Sequence, residues 1–192
     1  MKSETKQKIL EAGAAIMHRK GYHHTGIQEV LAAAGVPKGS FYFYFKNKEA
    51  FGLAVVDYFS EMFASHLAPV LEDTSVKPLM RLERVFDHFI RYFAEMEFAL
   101  GCPIGNLAQE MGDLSPVFQE KLRDAMDGLT RVFAGLLQEA RHNGELGEHI
   151  DISETAGFIV SSWQGALIRM KVVQSAEPLK IHKRIILQQL IA

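Results

Sequence analysis

Apolar residues recur every three or four positions along almost the whole chain, and short stretches with glycine or proline interrupt them. The first such stripe ends at Gly21 and consists of Ile9, Leu10, Ala14 and Met17. This spacing is typical of helices that bury one face, whereas a half-buried strand alternates apolar and polar residues. Because no segment shows convincing alternation, the sequence predicts an all-α protein of about nine helices.

Glycine, proline and cap-forming residues divide the pattern into segments. Thr25 and Gln28 match a capping box at the start of the second helix. Gly35 stands where a helix commonly ends in a left-handed residue, and Asn47 is a good N-cap for the helix that follows. Residues 27–45 are therefore predicted to form a helix, a tight turn and a helix. The expected helices cover about 4–20, 27–34, 37–45, 48–70, 77–98, 103–111, 115–142, 153–174 and 178–192.

Five consecutive aromatic residues, Phe41 to Phe45, end the second of these two helices. At about 100° per residue, Phe41 and Phe45 share one face and can close a small core. The opposite, outward face then carries Gly39, Tyr42 and Phe43. Such a face beside a lysine suits the DNA major groove, because lysine binds phosphate or guanine and aromatic carbon contacts thymine methyl groups. An ordinary aromatic core with a solvated lysine rim fits the periodicity as well.

Positive charge is concentrated in the first quarter of the chain. Residues 1–48 contain eight lysine or arginine residues against three glutamates, a net charge of +5. Since the whole chain has a net charge of −2, the remainder has a net charge of −7. A basic segment on an acidic body indicates a polyanionic partner, with chance unevenness as the alternative. The single cysteine excludes an intrachain disulfide. Neither a secretion signal nor an apolar run of roughly 18 residues is evident, so we expect a cytoplasmic protein without a membrane span.

Residues 9–51 read ILEAGAAIMHRKGYHHTGIQEVLAAAGVPKGSFYFYFKNKEAF. They contain a helix that ends in Gly-aromatic, a threonine at a cap, an Ala-Gly-Val turn, Gly-Ser-aromatic-Tyr and Phe-x-x-Lys-Glu. This combination resembles the DNA-binding domain of the TetR family of bacterial transcriptional repressors, although Pro37 stands where many members have serine. The resemblance implies a helix-turn-helix domain at 1–47 and a ligand-sensing and dimerisation domain at 48–192.

The resemblance also implies a repressor that binds a palindromic operator in double-stranded DNA as an obligate dimer. The DNA contacts it implies are Thr25, Lys38, Gly39, Ser40, Tyr42, Phe43, Tyr44 and Lys48. A dimer follows separately from the sequence, because one such small domain contacts too few phosphates for tight binding. Helix 153–174 offers small residues for close approach, and helix 178–192 is too apolar for a free end. Packing within one chain is the alternative for both helices.

The helices of the body are rich in phenylalanine and methionine, which build either a filled core or an apolar ligand cavity. The resemblance favours a cavity for a small apolar or electrophilic effector. We expect its walls to include Phe59, Met62, Phe63, His66, Phe89, Phe93 and Trp163. His66 can bond a ligand, although a core or surface histidine fits its position too. No residues are spaced to hold a metal, and nothing indicates a cofactor.

Cys102 directly precedes Pro103, where a helix is expected to begin. The free amides of a helix N-terminus favour a thiolate, and Lys171 is a candidate for a nearby positive charge. A buried, inert cysteine is the alternative. The Gly-Cys pair, LSPVFQEKLRDAMD and WQGALIRMK together resemble the electrophile-responsive NemR-type branch of the family. This resemblance implies that Cys102 and Lys171 take part in effector sensing.

Two other classes of function are compatible with parts of the sequence. An enzyme would use Cys102 as a nucleophile, but no histidine and acid are evidently placed to activate it. A helical adaptor would bind proteins instead of DNA. The basic segment and the motif at 9–51 favour a ligand-responsive, DNA-binding regulator, and we expect no enzymatic activity.

Overall fold

The computed structural model describes residues 2–191, with side chains for residues 4–190. The regular structure in that range consists of nine α-helices and one 3-10 turn, without a strand, which confirms the all-α prediction. The helices are α1 (Lys2–Lys20), α2 (Ile27–Ala33), α3 (Phe41–Tyr44), α4 (Lys48–Leu71), α5 (Pro78–Glu95), α6 (Pro103–Met111), α7 (Pro116–His142), α8 (Ile152–Val173) and α9 (Glu177–Ile191). The 3-10 turn, Lys38–Ser40, immediately precedes α3.

Three of the predicted helix ends are formed by the residues expected to form them. Gly21 and Gly35 have φ of +81° and +65°, a left-handed conformation that glycine adopts without steric cost. Asn47 caps α4, since its Oδ1 accepts a hydrogen bond from the Ala50 N–H at 2.8 Å. Gly35 lies between α2 and the 3-10 turn that precedes α3, so the expected tight turn joins these two helices.

Three details of the predicted boundaries are wrong. Gly26, not Thr25, is the N-cap of α2, because the Thr25 hydroxyl donates to the Gly21 carbonyl at 2.7 Å instead. The helix expected over 37–45 is shorter, since Pro37 and Phe45 are both extended and leave only the 3-10 turn and α3 between them. Helix α5 ends at Glu95 rather than near 98, because the two residues that follow Met96 have positive φ.

The chain divides into two compact units, each with its own buried core. Unit 1 consists of Met1–Phe63 and Pro103–Ala125, and unit 2 of Ala64–Cys102 and Met126–Ala192. In unit 1, a cluster of phenylalanine rings anchors the segment around α3: Phe51 lies 5.3 Å from Phe41 and 4.9 Å from Phe45 between ring centroids. The functional boundary predicted between residues 47 and 48 stays a prediction.

In unit 2, helix α9 packs against both α5 and α8. Their shared core contains an aromatic cluster in which the Phe86 ring lies 5.3 Å from both Trp163 and His182. Lys183 on α9 forms a salt bridge with Asp87 on α5, with 2.7 Å between Nζ and Oδ1, which links these two helices. The apolar faces of α8 and α9 that this packing does not cover form part of the surface of the unit.

Candidate DNA interface and effector residues

The aromatic run at α3 divides into a buried and an exposed set. Phe41 and Phe45 are 0% and 4% exposed, whereas Tyr42 and Phe43 are 67% and 65% exposed. Phe41 also packs on Phe45, with 5.4 Å between the ring centroids. The predicted division of faces is therefore confirmed. It leaves two large aromatic side chains exposed on a four-residue helix, an arrangement that needs an explanation other than core formation.

The residues before α3 present an open backbone beside these aromatic side chains. Lys38 and Gly39 are exposed, and Ser40 and Tyr44 are half-buried. A Cβ added at Gly39 would meet nothing within 4 Å, so a bulky partner can approach the backbone there. The structure thus places six of the eight predicted DNA-contact residues on one short segment, Lys38–Tyr44.

Thr25 and Lys48 support the turn between α1 and α2 instead. Thr25 is 2% exposed, and its hydroxyl is already bonded to Gly21, so the Thr25 side chain does not face solvent. The Lys48 Nζ donates to the His23 carbonyl at 3.1 Å and lies 4.7 Å from the centre of the Tyr22 ring. Burial lowers the pKa of Lys48, against the opposing effect of a nearby glutamate, Glu110. An ammonium group has three donors, so Lys48 keeps hydrogen atoms for another acceptor.

Sequence reasoning missed Glu110, whose carboxylate accepts two hydrogen bonds from the turn between α1 and α2. One carboxylate oxygen of Glu110 accepts the Tyr22 N–H at 2.7 Å, and the other accepts the His23 N–H at 2.8 Å. Glu110 lies on α6, 87 or more positions away from the turn. No local pattern in the sequence links the two segments, because this contact depends on tertiary structure.

The predicted effector residues of unit 2 lie mostly in its core. Trp163 and Phe89 are neighbours, with 6.4 Å between ring centroids, and Phe93 is 1% exposed. His66 is exposed, and its ring lies 6.0 Å from the His88 ring. Burial, followed by the charges of His66 and Arg91, lowers the pKa of His88.

Three predicted effector residues belong to unit 1. Phe59 is 4% exposed and packs edge-on against His18 at 5.7 Å between ring centroids. Met62 and Phe63 are half-buried. That these residues contact an effector stays a prediction, as it does for the residues of unit 2.

Cys102 is a buried thiol that forms no disulfide, 4% exposed. The Lys171 side chain passes beside the preceding residue: a Cβ added at Gly101 would lie 2.9 Å from the Lys171 Cδ. The residues just before Cys102 adopt an unusual backbone, since Glu97, Phe98, Leu100 and Gly101 all have positive φ. Left-handed conformations of residues other than glycine cost free energy and often occur at functional sites. The Lys171 side chain thus lies beside Gly101, the residue before Cys102, and a role of either residue in sensing stays a prediction.

A long apolar stripe is exposed along one face of α8 and continues on α9. Small residues interrupt it, because Ser161 and Gly165 are also exposed. A groove of about 570 Å³ lies between the two helices beside Gly165 and His182. The large exposed apolar side chains of the stripe are Phe158, Ile168, Val172, Ile181 and Ile185. Contiguous apolar surface of this kind is typical of protein interfaces.

Two further features are absent from residues 2–191. None of the helices there combines the length and the hydropathy that a lipid bilayer requires. The same part of the chain contains no group of three or more histidine, cysteine or acidic side chains placed to bind a metal ion.

Two protein families match the chain. Residues 9–55 match the family described as "Bacterial regulatory proteins, tetR family", and residues 78–186 match "Tetracyclin repressor-like, C-terminal domain". The first match covers α2, α3 and the exposed aromatic side chains. The second covers α5 to α8 and most of α9, including Cys102, Lys171 and the apolar stripe. The first match contains all eight predicted DNA contacts, and the second contains the predicted effector residues from Phe89 onward, whereas residues 56–77 with the other four lie between the two matches.

Individual relatives are similar over most of their length. The chain is 34% identical to the HTH-type transcriptional repressor DhaR of Mycobacterium sp. strain GP1, covering 93% of this chain and 88% of DhaR. It is 39% identical to the transcriptional regulator AcuR of Cereibacter sphaeroides, covering 90% and 79%. The crystal structure of reduced Escherichia coli NemR has a TM-score of 0.88 at 26% identity, covering 98% of both chains. These relatives are regulators and not enzymes. With its helix-turn-helix and its matching body, the chain belongs to the TetR family of ligand-responsive, DNA-binding transcriptional repressors.

Proposed function

We propose that this regulator binds a palindromic operator as a homodimer through Lys38–Tyr44, and that a small effector or modification of Cys102 releases it. The observation that carries the DNA contact is the exposure of Tyr42 and Phe43 above a closed phenylalanine core. Their neighbours supply the other requirements of a groove-binding segment, a cation at Lys38 and an open backbone at Gly39. A protein that regulates a bacterial chromosome works in the cytoplasm, where we place it.

The exposed stripe of α8 and α9 supports the homodimer. Two copies related by a two-fold axis present the same stripe to each other, and small residues such as Gly165 allow the helices to approach closely. The two recognition segments would then fit successive major grooves of one DNA face, about 34 Å apart. Operators of dimeric regulators are palindromic for the same reason of symmetry.

Cys102 and Lys171 support a thiol-based response. A positive side chain close to a cysteine stabilises the thiolate, which is the reactive form. The relative NemR was crystallised in a reduced form. Because the chain has one cysteine, a second thiol of the same chain cannot take part. We infer a small electrophile with an activated carbon–carbon double bond. The Cys102 thiolate, formed when the thiol proton leaves to solvent, adds to one carbon as the π bond opens, and the neighbouring carbon takes up a proton from solvent.

DNA binding is tested with the region upstream of the gene for this protein. The expected result is a retarded band in a gel-shift titration at low salt, with competition by a palindromic duplex and not by a scrambled one. Equal retardation of both duplexes, or none, would contradict operator recognition.

The thiol response is tested with N-ethylmaleimide and the variant Cys102→Ser. We expect the variant to bind the operator with wild-type affinity and to stay bound when the reagent is added. The wild type should dissociate from the operator. Release of both proteins at the same reagent concentration would show that Cys102 is not the sensor and would favour a non-covalent effector.

A further inference from the structure

Residues far from the helix-turn-helix in sequence form part of the unit that carries it. Unit 1 contains Pro103–Ala125, which comprises α6 and the start of α7, together with α1, α2 and α3. Helix α6 forms hydrogen bonds to the turn between α1 and α2, residues 21–24. The position of α2 depends on that turn, because the Thr25 hydroxyl and the N-cap Gly26 follow it directly.

The Glu110 carboxylate binds two successive backbone N–H groups of the turn. Its bonds to Tyr22 and His23 are 2.7 and 2.8 Å long, in the range of charge-assisted hydrogen bonds. The approach is so close that a Cβ at Gly21 would lie 2.5 Å from a Glu110 oxygen. Lys48 binds the carbonyl of the same turn at His23. The Glu110 carboxylate therefore binds two N–H groups of this turn, and the Lys48 ammonium group binds one of its carbonyl groups.

Two further contacts join the same downstream segment to the DNA-binding helices. The Ser115 hydroxyl donates to Glu49 in the first turn of α4 at 2.9 Å. The Phe118 ring packs edge-on against Tyr22, with 5.0 Å between the ring centroids. The segment is thus fixed both before α2 and after α3, at Tyr22 and at Glu49, so that the recognition segment lies between two anchored points of the chain.

We propose that Glu110 is a positioning residue for operator recognition. Its carboxylate holds the turn, and through the turn α2 and α3, in the orientation in which Lys38–Tyr44 meets the base edges. Glu110 itself repels phosphate, so it opposes non-specific DNA binding while it supports specific binding. This inference rests on the proposed DNA-binding function.

These two effects have opposite signs, which separates positioning from a general loss of stability. In Glu110→Gln, the single amide oxygen accepts one N–H of the turn, and the amide NH2 faces the other. We expect operator affinity to fall about tenfold, in keeping with the loss of a charge-assisted hydrogen bond. Affinity for a scrambled duplex should stay the same or rise, because one negative charge near DNA is gone. Partial unfolding would instead lower both affinities by the same factor.

The experiment uses the full chain and a duplex that the wild type selects from a random-sequence pool, compared with a scrambled duplex of equal length. Asp113→Asn is the control, since it removes one negative charge from an exposed position three residues away. Both affinities of Asp113→Asn should change together, and its ratio of operator to scrambled affinity should equal that of the wild type. Amide exchange at Tyr22 and His23 should accelerate in Glu110→Gln only, with exchange at Val30 unchanged.

Three results would overturn the inference. The first is a ratio of operator to scrambled affinity in Glu110→Gln that equals the ratio in Asp113→Asn. The second is faster exchange at Tyr22 and His23 without any change in the ratio, which would make the contact structural only. In the third, the wild type itself binds every duplex equally or none of them, and the proposed function then fails together with the inference.

Discussion

The chain exposes large apolar side chains in two regions that differ in length and periodicity. Tyr42 and Phe43 are adjacent on the four-residue helix α3. On α8 the exposed side chains from Phe158 to Val172 follow one helical face, a distance of about 21 Å at 1.5 Å per residue. The short segment can enter a groove, whereas the long stripe can only be covered by another elongated surface.

Charge and side-chain size reinforce this difference. The segment around α3 lies in the basic first quarter of the chain, which matches a polyanion. The stripe on α8 contains Ser161 and Gly165 between its larger residues, which matches a second helix at close distance. Exposure alone therefore does not identify a partner. The length of the apolar face and the residues beside it distinguish DNA from a second copy of the chain.

The largest expected effect is the loss of the dimer when a charge enters the stripe. Ile168→Glu places a carboxylate at the predicted two-fold contact, and burying an unpaired charge there costs several kcal/mol. We expect a monomer at micromolar concentration by light scattering and at least a hundredfold loss of operator affinity. Ser153→Glu, at the exposed first turn of α8, should stay dimeric. A dimeric Ile168→Glu protein would show that the stripe serves another purpose.

The next effect separates the exposed from the buried aromatic residues of α3. Tyr42→Ala should leave thermal stability within about 0.5 kcal/mol of wild type, because its side chain is exposed. Operator affinity should fall roughly 10- to 100-fold, the range for loss of a base contact. Phe41→Ala, at a fully buried site, should cost about 3–5 kcal/mol of stability. If Tyr42→Ala binds the operator like wild type, α3 does not enter the groove.

Local sequence patterns were sufficient for the faces of α3 and for the ends of several helices. The burial of Phe41 and Phe45 on one face follows from helical geometry, and Gly35 ends α2 because it adopts a left-handed conformation. The cap of α2 could not be obtained in this way. Thr25 has the chemistry of a cap, but its hydroxyl finds an acceptor at Gly21 once the turn is formed.

The contact between Glu110 and the turn was inaccessible to the sequence for a different reason. A glutamate on a helix surface is ordinarily solvated, and only the folded arrangement places it at 2.7 Å from the Tyr22 N–H. Lys48 illustrates the same limit: its position in the motif implies a phosphate contact, whereas the structure also gives it a bond to the protein backbone.

A smaller effect distinguishes the two lysines of the predicted DNA interface. Lys38→Met removes an exposed charge, so operator affinity should fall a few-fold and the slope of log affinity against log salt should decrease by about 1. Lys48→Met should also weaken the turn and should therefore lower the ratio of operator to scrambled affinity. Lys38→Arg is the control and should keep the salt slope. An unchanged slope in Lys38→Met would remove Lys38 from the contact set.

The smallest expected effect concerns His182, which lies beneath the surface formed by α8 and α9. The imidazole is 7% exposed, its Nε2 lies 2.9 Å from the Ser162 hydroxyl, and its ring packs on Trp163 at 5.1 Å. Burial disfavours the charged ring and lowers the pKa of His182 below its ordinary value of 6.5, while a bond with the Ile159 backbone has the opposite, weaker effect. The folded protein therefore binds this proton less readily than the unfolded chain does.

The sign of the pH effect follows from this difference. Above pH 6.5 both states are neutral at His182, and the stability from this group is fully present. As the pH falls through 6.5, the unfolded chain takes up the proton first, so the free energy of unfolding decreases. His182→Phe keeps an aromatic ring beside Trp163 and removes the titration. Urea unfolding at pH 7.5, 6.5 and 5.5 should show a weaker decrease in the variant than in wild type. Parallel curves would show that titration of His182 does not contribute to the pH dependence of stability.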